Sequence, residues 1–439
     1  MKVGNLDNWW MPFTANSAFK ASPSPRMVVR SSGVHYYSED GREIVDAMGG
    51  LMSTPCGHSR PEIAAAVAKQ LGELAFVVPF NVGHPAAFEL AERLATIAPA
   101  GLKYSFFVNS GSEAADSAMK IALAYHHKRG ESNRTRFVSR ERAYHGVNFG
   151  GMAIGGIQPN RDAYGIGLPG VVHMRHTWSE ENRFTLGQPA AGAELAEDLT
   201  RFCTLLGGHN IAACIVEPVA GSTGVLVPPV GYLQRLREIC DQQGILLIFD
   251  EVITGFGRVG ENFAAQRFGV VPDMMTIAKG LTNSAIPMGA VLVSEKIYNV
   301  LTDEKRHKGI ELFHGYTYSG HPAACAAALA VLDIFERDQL VQRARDAEPI
   351  LQNAVHALSE LEVVTDVRGI GMMAGVDLQP LDTPGARGLQ VLQKLYDAGV
   401  MVKMTGDTIL LGPALVMEPE TIKLMVSRIG NVLSDCQTI

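Results

Sequence analysis

Five apolar segments of this 439-residue chain end in side chains that could do chemistry. Each segment reads as a buried strand. The residues that follow them are Ser110-Gly111-Ser112, Tyr144-His145, Glu217, Asp250-Glu251 and Lys279. Ligands of open α/β sheets bind beyond the carboxyl ends of the strands, so we expect these strand ends to share one site. Acids and a lysine at such positions are costly unless each finds a partner.

Together, these residues match the needs of pyridoxal 5'-phosphate. Segment 110–112 leads into a helix, whose N-terminus and small residues would close around a phosphate. Tyr144 and His145 lie at a Gly-rich turn, where a flat ring could stack on a cofactor plane. Asp250 would hold the protonated ring nitrogen, and Lys279 would bind the aldehyde and move a proton. A salt bridge between Asp250 and Lys279 would be the purely structural alternative, but it explains only one pair.

The elements that must position these residues alternate between strands and helices. The predicted strands are residues 104–109, 135–139, 211–218, 245–252, 274–278 and 289–294. Their near-continuous Val, Ile, Leu and Phe predict an α/β fold, with a mostly parallel sheet covered by helices on both faces.

A smaller α+β domain is predicted from both ends of the chain. After residue 320 the pattern changes to long helices and to a hairpin that turns at residues 405–407. The resulting division is a large cofactor-binding domain, residues 60–320, and a small domain built from residues 1–59 and 321–439.

Composition excludes several classes of function. The net charge is -7, and no run of Lys and Arg forms a phosphate-tracking stripe, so nucleic acid is not an expected partner. No segment approaches about 18 uninterrupted apolar residues and no leader pattern opens the chain, so no membrane is expected and a cytoplasmic location is the default. The six cysteines form no C-x-x-C pair, and we interpret them as reduced thiols.

One motif supports a rival function. The sequence "GFGRVG", residues 255–260, satisfies G-x-G-x-x-G and would suit an NAD(P)-dependent dehydrogenase. Its first glycine does not lie at the strand end, however, and Asp273 precedes the next strand instead of closing it. The histidines at 126–127 and 173–176 lack a third ligand at useful spacing, so no metal site is predicted. No G-x-S-x-G elbow indicates a serine hydrolase.

The chain resembles the class III pyridoxal-phosphate aminotransferases of fold type I, and among them the ω-amino acid:pyruvate (β-alanine:pyruvate) enzymes. The resemblance covers nearly the whole chain. It rests on "WWMPFTANSAFKA", "NSGSEA", "AYHGVN", "VEPVAGSTGVLVPPVGYLQRLREIC", "ILLIFDEVITGFGRVG", "DMMTIAKGLTNSAIPMGAV" and "HGYTYSGHPAACAA".

The resemblance implies roles for individual cofactor residues. Lys279 would hold the cofactor as an internal aldimine, and Asp250 would bind the ring nitrogen. Val252 would pack on one ring face and Tyr144 on the other. Glu217 would join the network around Asp250 and the cofactor hydroxyl. Ser110, Gly111 and Ser112 would take the phosphate.

The same resemblance implies a second subunit. Thr317, with Tyr316 beside it, would reach the phosphate of the neighbouring subunit's cofactor. The active unit would then be a homodimer or a tetramer with shared active sites.

Two departures from the family concern the substrate. Where the ω-amino acid:pyruvate enzymes have a carboxylate-binding arginine, the hairpin "VMVKMTGDTILLGP" offers Lys403, a point charge rather than a fork. A solvated hairpin lysine is the alternative. Where the family usually has a tryptophan, Met52 would give a softer pocket wall.

The expected activity is transamination in two half-reactions, from a β-alanine-like ω-amino acid or an amine to a 2-oxo acid, with pyruvate the expected acceptor. An aminomutase or a decarboxylase of the same fold is the alternative, because the core motifs specify the cofactor and not the bond that is broken.

Overall fold

A computed structural model describes residues 6–22, 26–165, 167–303 and 309–436. The strands of these ranges are, in chain order, β1 (Val28–Ser32), β2 (His35–Ser38), β3 (Glu43–Asp46), β4 (Leu102–Val108), β5 (Arg136–Arg140), β6 (Val171–Met174), β7 (Ile211–Val216), β8 (Leu246–Asp250), β9 (Met274–Ile277), β10 (Gly289–Ser294), β11 (Val364–Ile370), β12 (Met373–Leu378), β13 (Val400–Met401), β14 (Lys403–Thr405) and β15 (Thr408–Leu411).

The α-helices of the same ranges are, in chain order, α1 (Asn16–Ala21), α2 (Gly49–Met52), α3 (Pro61–Glu73), α4 (Pro85–Ile97), α5 (Gly111–Lys128), α6 (Phe149–Ile154), α7 (Glu197–Leu206), α8 (Tyr232–Gln243), α9 (Ala264–Arg267), α10 (Glu295–Leu301), α11 (Pro322–Arg337), α12 (Leu340–His356), α13 (Ala386–Asp397) and α14 (Pro419–Ser434). Across the described ranges, none of the helices combines the length and the apolar character that a bilayer crossing needs.

The central sheet has seven strands in the order β4-β10-β9-β8-β7-β5-β6. Neighbouring strands from β9 to β6 run parallel, and β10 is antiparallel to both β4 and β9. Every residue of β7, β8 and β9 is buried, which explains their continuous apolar sequences. The predicted α/β fold with a mostly parallel sheet is confirmed.

Strand alternation decides which side of the sheet each residue of β8 faces. Leu246 and Ile248 belong to the core that also contains α5, whereas Leu247 and Phe249 belong to the core that also contains α8. Asp250 lies two residues after Ile248 and therefore points to the same side of the sheet, towards α5. The N-terminus of α5 lies at this end of the sheet.

Two four-stranded sheets form the rest of the β-structure. One has the order β1-β2-β3-β13, and the short strand β13 runs parallel to β3, so both ends of the chain share this sheet. The other has the order β11-β12-β15-β14, and Thr405 pairs with Thr408 across the predicted hairpin turn. The domain boundaries at residues 59 and 320 stay a prediction.

The strands differ from the predicted ones mainly at their ends. The predicted strands 211–218 and 245–252 stop at Val216 and Asp250, because the acidic residues that follow belong to loops. The edge strand β6 was not predicted, since its four residues, Val171–Met174, are too few to show periodicity.

Candidate active site

One cavity of about 140 Å³ lies at the carboxyl ends of the central strands. Eight of the residues predicted from the sequence line it, together with three others. The predicted lining residues are Gly111, Ser112, Tyr144, His145, Glu217, Asp250, Val252 and Lys279, and the others are Gly146, Ile253 and Ala278. The strand ends that the sequence suggested are therefore brought together at a single place.

Asp250 is a buried carboxylate held by neighbours on both oxygens. Its Oδ2 lies 2.7 Å from Nδ1 of His145, and its Oδ1 accepts a hydrogen bond of 3.0 Å from the Thr276 hydroxyl. The other ring nitrogen of His145 lies 3.2 Å from the Ser139 hydroxyl, which fixes the plane of the imidazole. The carboxylate is thus oriented by side chains of the protein itself.

Lys279 occupies a constrained turn directly after β9. Its φ of 48° is left-handed, and the backbone of the next residue, Gly280, packs against Phe256, which a side chain at Gly280 would meet at 2.8 Å. Burial lowers the pKa of Lys279 from its ordinary value to about 8, and the carboxylates of Asp250 and Glu217 oppose this change. No salt bridge between Lys279 and Asp250 occurs in the described part of the chain, so the purely structural alternative is not realised.

Glu217 stands on the loop that follows β7 and is also buried. Its Oε1 accepts the backbone N–H of Tyr144 at 2.9 Å, and its Oε2 accepts the N–H of Gly221 at 3.0 Å. Burial raises the pKa of Glu217, and the nearby Asp250 carboxylate raises it further. Through its two hydrogen bonds, Glu217 connects the loop after β5 to the loop after β7.

The N-terminus of α5 closes one end of the cavity. Ser110 caps the helix by accepting the backbone N–H of Glu113 at 3.1 Å, while the Ser112 hydroxyl accepts the N–H of Val147. A side chain at Gly146 would meet Ser112 Oγ at 2.5 Å, so the two segments can approach only through glycine. Ser110 is not among the residues that line the cavity, although Gly111 and Ser112 are.

Val252 and Tyr144 supply apolar and aromatic surface. The Val252 methyl groups would lie 3.1 Å from a side chain at Gly111, so Val252 packs directly against the start of α5. Burial raises the pKa of the Tyr144 hydroxyl, and the charges of Asp250 and Glu217 raise it further.

Glu251 does not join the cavity, although it follows the same strand as Asp250. Its carboxylate accepts the Thr254 hydroxyl at 2.6 Å and the backbone N–H groups of Ala264 and Ala265 at 2.8 and 2.7 Å. It therefore holds the first turn of α9. Burial raises its pKa to about 7, against the effect of these three bonds.

The "GFGRVG" motif has a structural role in this fold. Residues 255–260 form turns between β8 and the four-residue helix α9, and the buried Arg258 donates hydrogen bonds to the carbonyls of Met372 and Pro413. Asp273, the acid considered for a ribose, instead accepts from the Leu247 N–H at 2.8 Å and pairs with an arginine. These contacts do not form a dinucleotide site.

Four predicted residues lie elsewhere. Met52 is buried in a core cluster, and its side chain fills the space that a side chain at Gly412 would need. Lys403 is exposed on β14, and Thr317 is exposed beside the half-buried Tyr316. None of these residues lines the described cavity.

Sequence reasoning missed several residues around Asp250. Thr276 was visible as the one polar residue in "MMTIA", and it faces Asp250 because the two residues are register partners on neighbouring strands. Ser139 was visible too, as the polar residue that follows Phe137 and Val138 in β5. Ile253 and Ala278 could not be recognised as site residues, because apolar residues beside a strand end have the same pattern as residues of the hydrophobic core.

The residues of the cavity fit pyridoxal phosphate. An oriented carboxylate suits a protonated ring nitrogen, a lysine with a lowered pKa suits an aldehyde, and the glycine-lined start of α5 suits a phosphate. Tyr144 and Val252 both line this cavity and offer aromatic and apolar surface to a flat ring.

Comparison with known proteins agrees with this chemistry. The family model of class III aminotransferases matches residues 17–433. The omega-aminotransferase of Caulobacter vibrioides is 52% identical over 433 residues, which are 98% of each chain. The beta-alanine–pyruvate aminotransferase of Pseudomonas aeruginosa is 45% identical over 433 residues, covering 98% of this chain and 96% of the relative.

Solved structures give the same result. A PLP-bound amine transaminase from an uncultivated Pseudomonas species superposes with a TM-score of 0.88 at 36% identity, covering 98% of this chain and 99% of that one. An (S)-enantioselective omega-transaminase from Thermomicrobium roseum gives a TM-score of 0.92 at 33% identity, covering 98% and 97%. The chain belongs to the class III aminotransferases, enzymes that use pyridoxal phosphate.

Proposed function

We propose that this aminotransferase moves the amino group of a β-alanine-like ω-amino acid or amine to a 2-oxo acid, with pyruvate as the preferred acceptor. The observation that carries the proposal is that Asp250 and Lys279 line one small cavity, the first oriented by hydrogen bonds and the second with a lowered pKa. The names of the two relatives supply the substrate class.

Each residue of the cavity has a proposed task. When bound, pyridoxal phosphate supplies an aldehyde that combines with amines and a ring that delocalises negative charge. Asp250 holds a proton on the ring nitrogen, and His145 and Thr276 keep its carboxylate in place. The Lys279 amine is neutral in a useful fraction near pH 8, so it could take a proton from the substrate carbon and deliver it to the cofactor carbon that carried the aldehyde.

The remaining cofactor contacts follow from position. Gly111 and Ser112 present the start of α5 to the phosphate, with Ser110 capping the same helix. Tyr144 and Val252 would cover the two ring faces. Glu217 orients the Tyr144 loop and would join the network around the cofactor hydroxyl.

We infer that Lys403 attracts the substrate carboxylate. The Thr405 hydroxyl on the same strand donates to the Ser222 carbonyl at 2.8 Å, which brings β14 to the loop that carries Glu217. The exposed Lys403 lies on that strand, where its flexible side chain can attract a substrate carboxylate to the entrance of the cavity as a point charge. Met52 packs against Gly412, and its place in the wall of the substrate pocket stays a prediction.

We further propose that a second copy of the chain completes the site. Thr317 and Tyr316 lie on an apolar surface formed by the exposed side chains of Phe76, Val78, Phe80, Val82, Phe88, Phe313 and Tyr318. The rings of Phe76 and Tyr318 are 6.0 Å apart, which makes the two segments one patch. A patch of this kind indicates a protein interface, and Thr317 would reach the partner's phosphate across it. The choice between dimer and tetramer, and the cytoplasmic location, stay predictions from the sequence.

The proposed activity predicts a visible absorption band that depends on Lys279. The purified protein loaded with pyridoxal phosphate should absorb in the violet and form alanine from pyruvate and β-alanine. Lys279→Ala should lose the band and reduce turnover by about a thousandfold or more, because the amine that moves the proton is gone. Alanine formation by Lys279→Ala at the parent rate would contradict the proposal, and a parent that uses no amine donor would contradict the activity itself.

The pKa of Lys279 predicts how its amine reacts in cofactor-free protein. Labelling of Lys279 by an amine reagent should reach half its maximal rate at about pH 8, well below an ordinary lysine at about 10.4. Asp250→Asn should lower this midpoint further, since the negative charge that favours the ammonium is removed. Mass spectrometry of the Lys279 peptide measures both midpoints. A parent midpoint above about pH 10 would show that the amine is fully solvated.

The proposed role of Lys403 predicts that its replacement weakens the use of carboxylate substrates only. Lys403→Ala should raise the KM for β-alanine by about threefold while leaving a carboxylate-free amine such as 1-phenylethylamine unchanged, because only the first substrate carries the charge to be attracted. Lys403→Arg should restore or improve β-alanine use through its bidentate fork. Equal losses on both substrates would mean that Lys403 acts only on the structure of the hairpin.

The apolar patch predicts the behaviour of two matched variants. Phe88 and Leu389 are both 70% exposed, but only Phe88 belongs to the patch. Phe88→Glu should produce monomers in analytical ultracentrifugation and weaken cofactor retention, since a buried charge opposes association. Leu389→Glu should keep the parent mass and activity. Unchanged association of Phe88→Glu would remove the patch as the interface.

A further inference from the structure

One side chain joins the turn after Lys279 to a remote part of the chain. Asn283 is only 6% exposed, and its carboxamide contacts the backbone of residues 56–57 at two points. Its Oδ1 accepts the N–H of Cys56 at 2.9 Å, and its Nδ2 donates to the carbonyl of Gly57 at 2.8 Å. One amide orientation satisfies both partners, so the contact works as a two-point clamp.

The clamp acts on a turn whose backbone is under constraint. Lys279, Asn283 and Ser284 have φ values of 48°, 52° and 57°, which residues other than glycine rarely adopt. The Ser284 N–H returns to the Lys279 carbonyl at 3.3 Å, so the residues form one closed unit. Such conformations persist only where the surroundings hold them. On one side that support is the contact between Gly280 and Phe256, and on the other side it is Asn283.

The partner of the clamp is itself fixed. The buried Asp46 carboxylate accepts the N–H groups of Met48 and Gly50 at 3.0 and 2.6 Å, and it lies 2.7 Å from the His58 ring. These contacts close residues 46–58 into a loop, which we call the Asp46 loop. Met52 lies on this loop, so the clamp connects the reactive lysine to the wall ascribed to the substrate pocket.

We propose that Asn283 is a positioning residue for Lys279, which it holds in register with the Asp46 loop through its two backbone hydrogen bonds. Without the clamp, the turn loses its support on one side and the Lys279 amine is displaced from its place in the cavity. Proton transfer depends steeply on such placement, whereas amine binding depends on it less. This inference rests on the proposed role of Lys279.

Asn283→Gly is the direct test, because glycine accepts the positive φ and removes only the clamp. Gln339→Gly is the matched control, since Gln339 also has a left-handed φ of 48° but is exposed at the start of α12. In the loaded enzyme, kcat, KM, melting temperature and the pH dependence of the cofactor's visible absorption are measured. Asn283→Asp, which keeps one acceptor and loses the donor, serves as the second variant if the glycine variant does not fold.

For Asn283→Gly, we expect kcat to fall about tenfold with KM for β-alanine within about twofold, and the absorption midpoint to move by about half a pH unit. Gln339→Gly should match the parent in all of these. A lower melting temperature with unchanged kcat and unchanged midpoint would overturn the inference and make Asn283 a stabilising contact only. If the parent itself shows no Lys279-dependent absorption, the proposed function fails, and the inference about Asn283 fails with it.

Discussion

A carboxylate at the end of a fully buried strand has to be satisfied by its neighbours, and the site depends on how Asp250 meets this constraint. His145 reaches it from the loop after β5, across the intervening strand β7, and Thr276 reaches it from the adjacent strand β9. The order of the four parallel strands β9-β8-β7-β5 therefore brings both partners to one acid. Because both carboxylate oxygens are already bonded, Asp250 meets its ligand without reorganising.

The pKa values of two groups in the cavity, the Lys279 amine and the Glu217 carboxyl, are shifted in opposite directions. Burial lowers the pKa of the Lys279 ammonium and raises the pKa of the Glu217 carboxyl, so both move towards neutrality. The carboxylates of Asp250 and Glu217 limit the first shift. An amine poised near neutral pH beside a fixed carboxylate suits proton transfer better than either group would alone.

The sequence predicted where the site lies more fully than it predicted the hydrogen bonds between the residues of the site. Polar residues directly after apolar strands stand out, so Asp250, Lys279 and Glu217 could be placed at one sheet edge. Asp250 was assigned to the cofactor, but the role of Glu251 could not be predicted, because its backbone partners in the first turn of α9 lie further along the chain. Met52 and Lys403 came from resemblance, and their contacts depend on packing that local patterns do not encode.

Two side chains that do not line the cavity hold segments of the chain near it, the carboxylate of Glu251 on the start of α9 and the carboxamide of Asn283 on the Asp46 loop. Neither uses an atom of a cofactor. The consequence is that a substitution at either residue would act on the site from a distance, through the backbone segment that the residue holds and not through contact with a ligand.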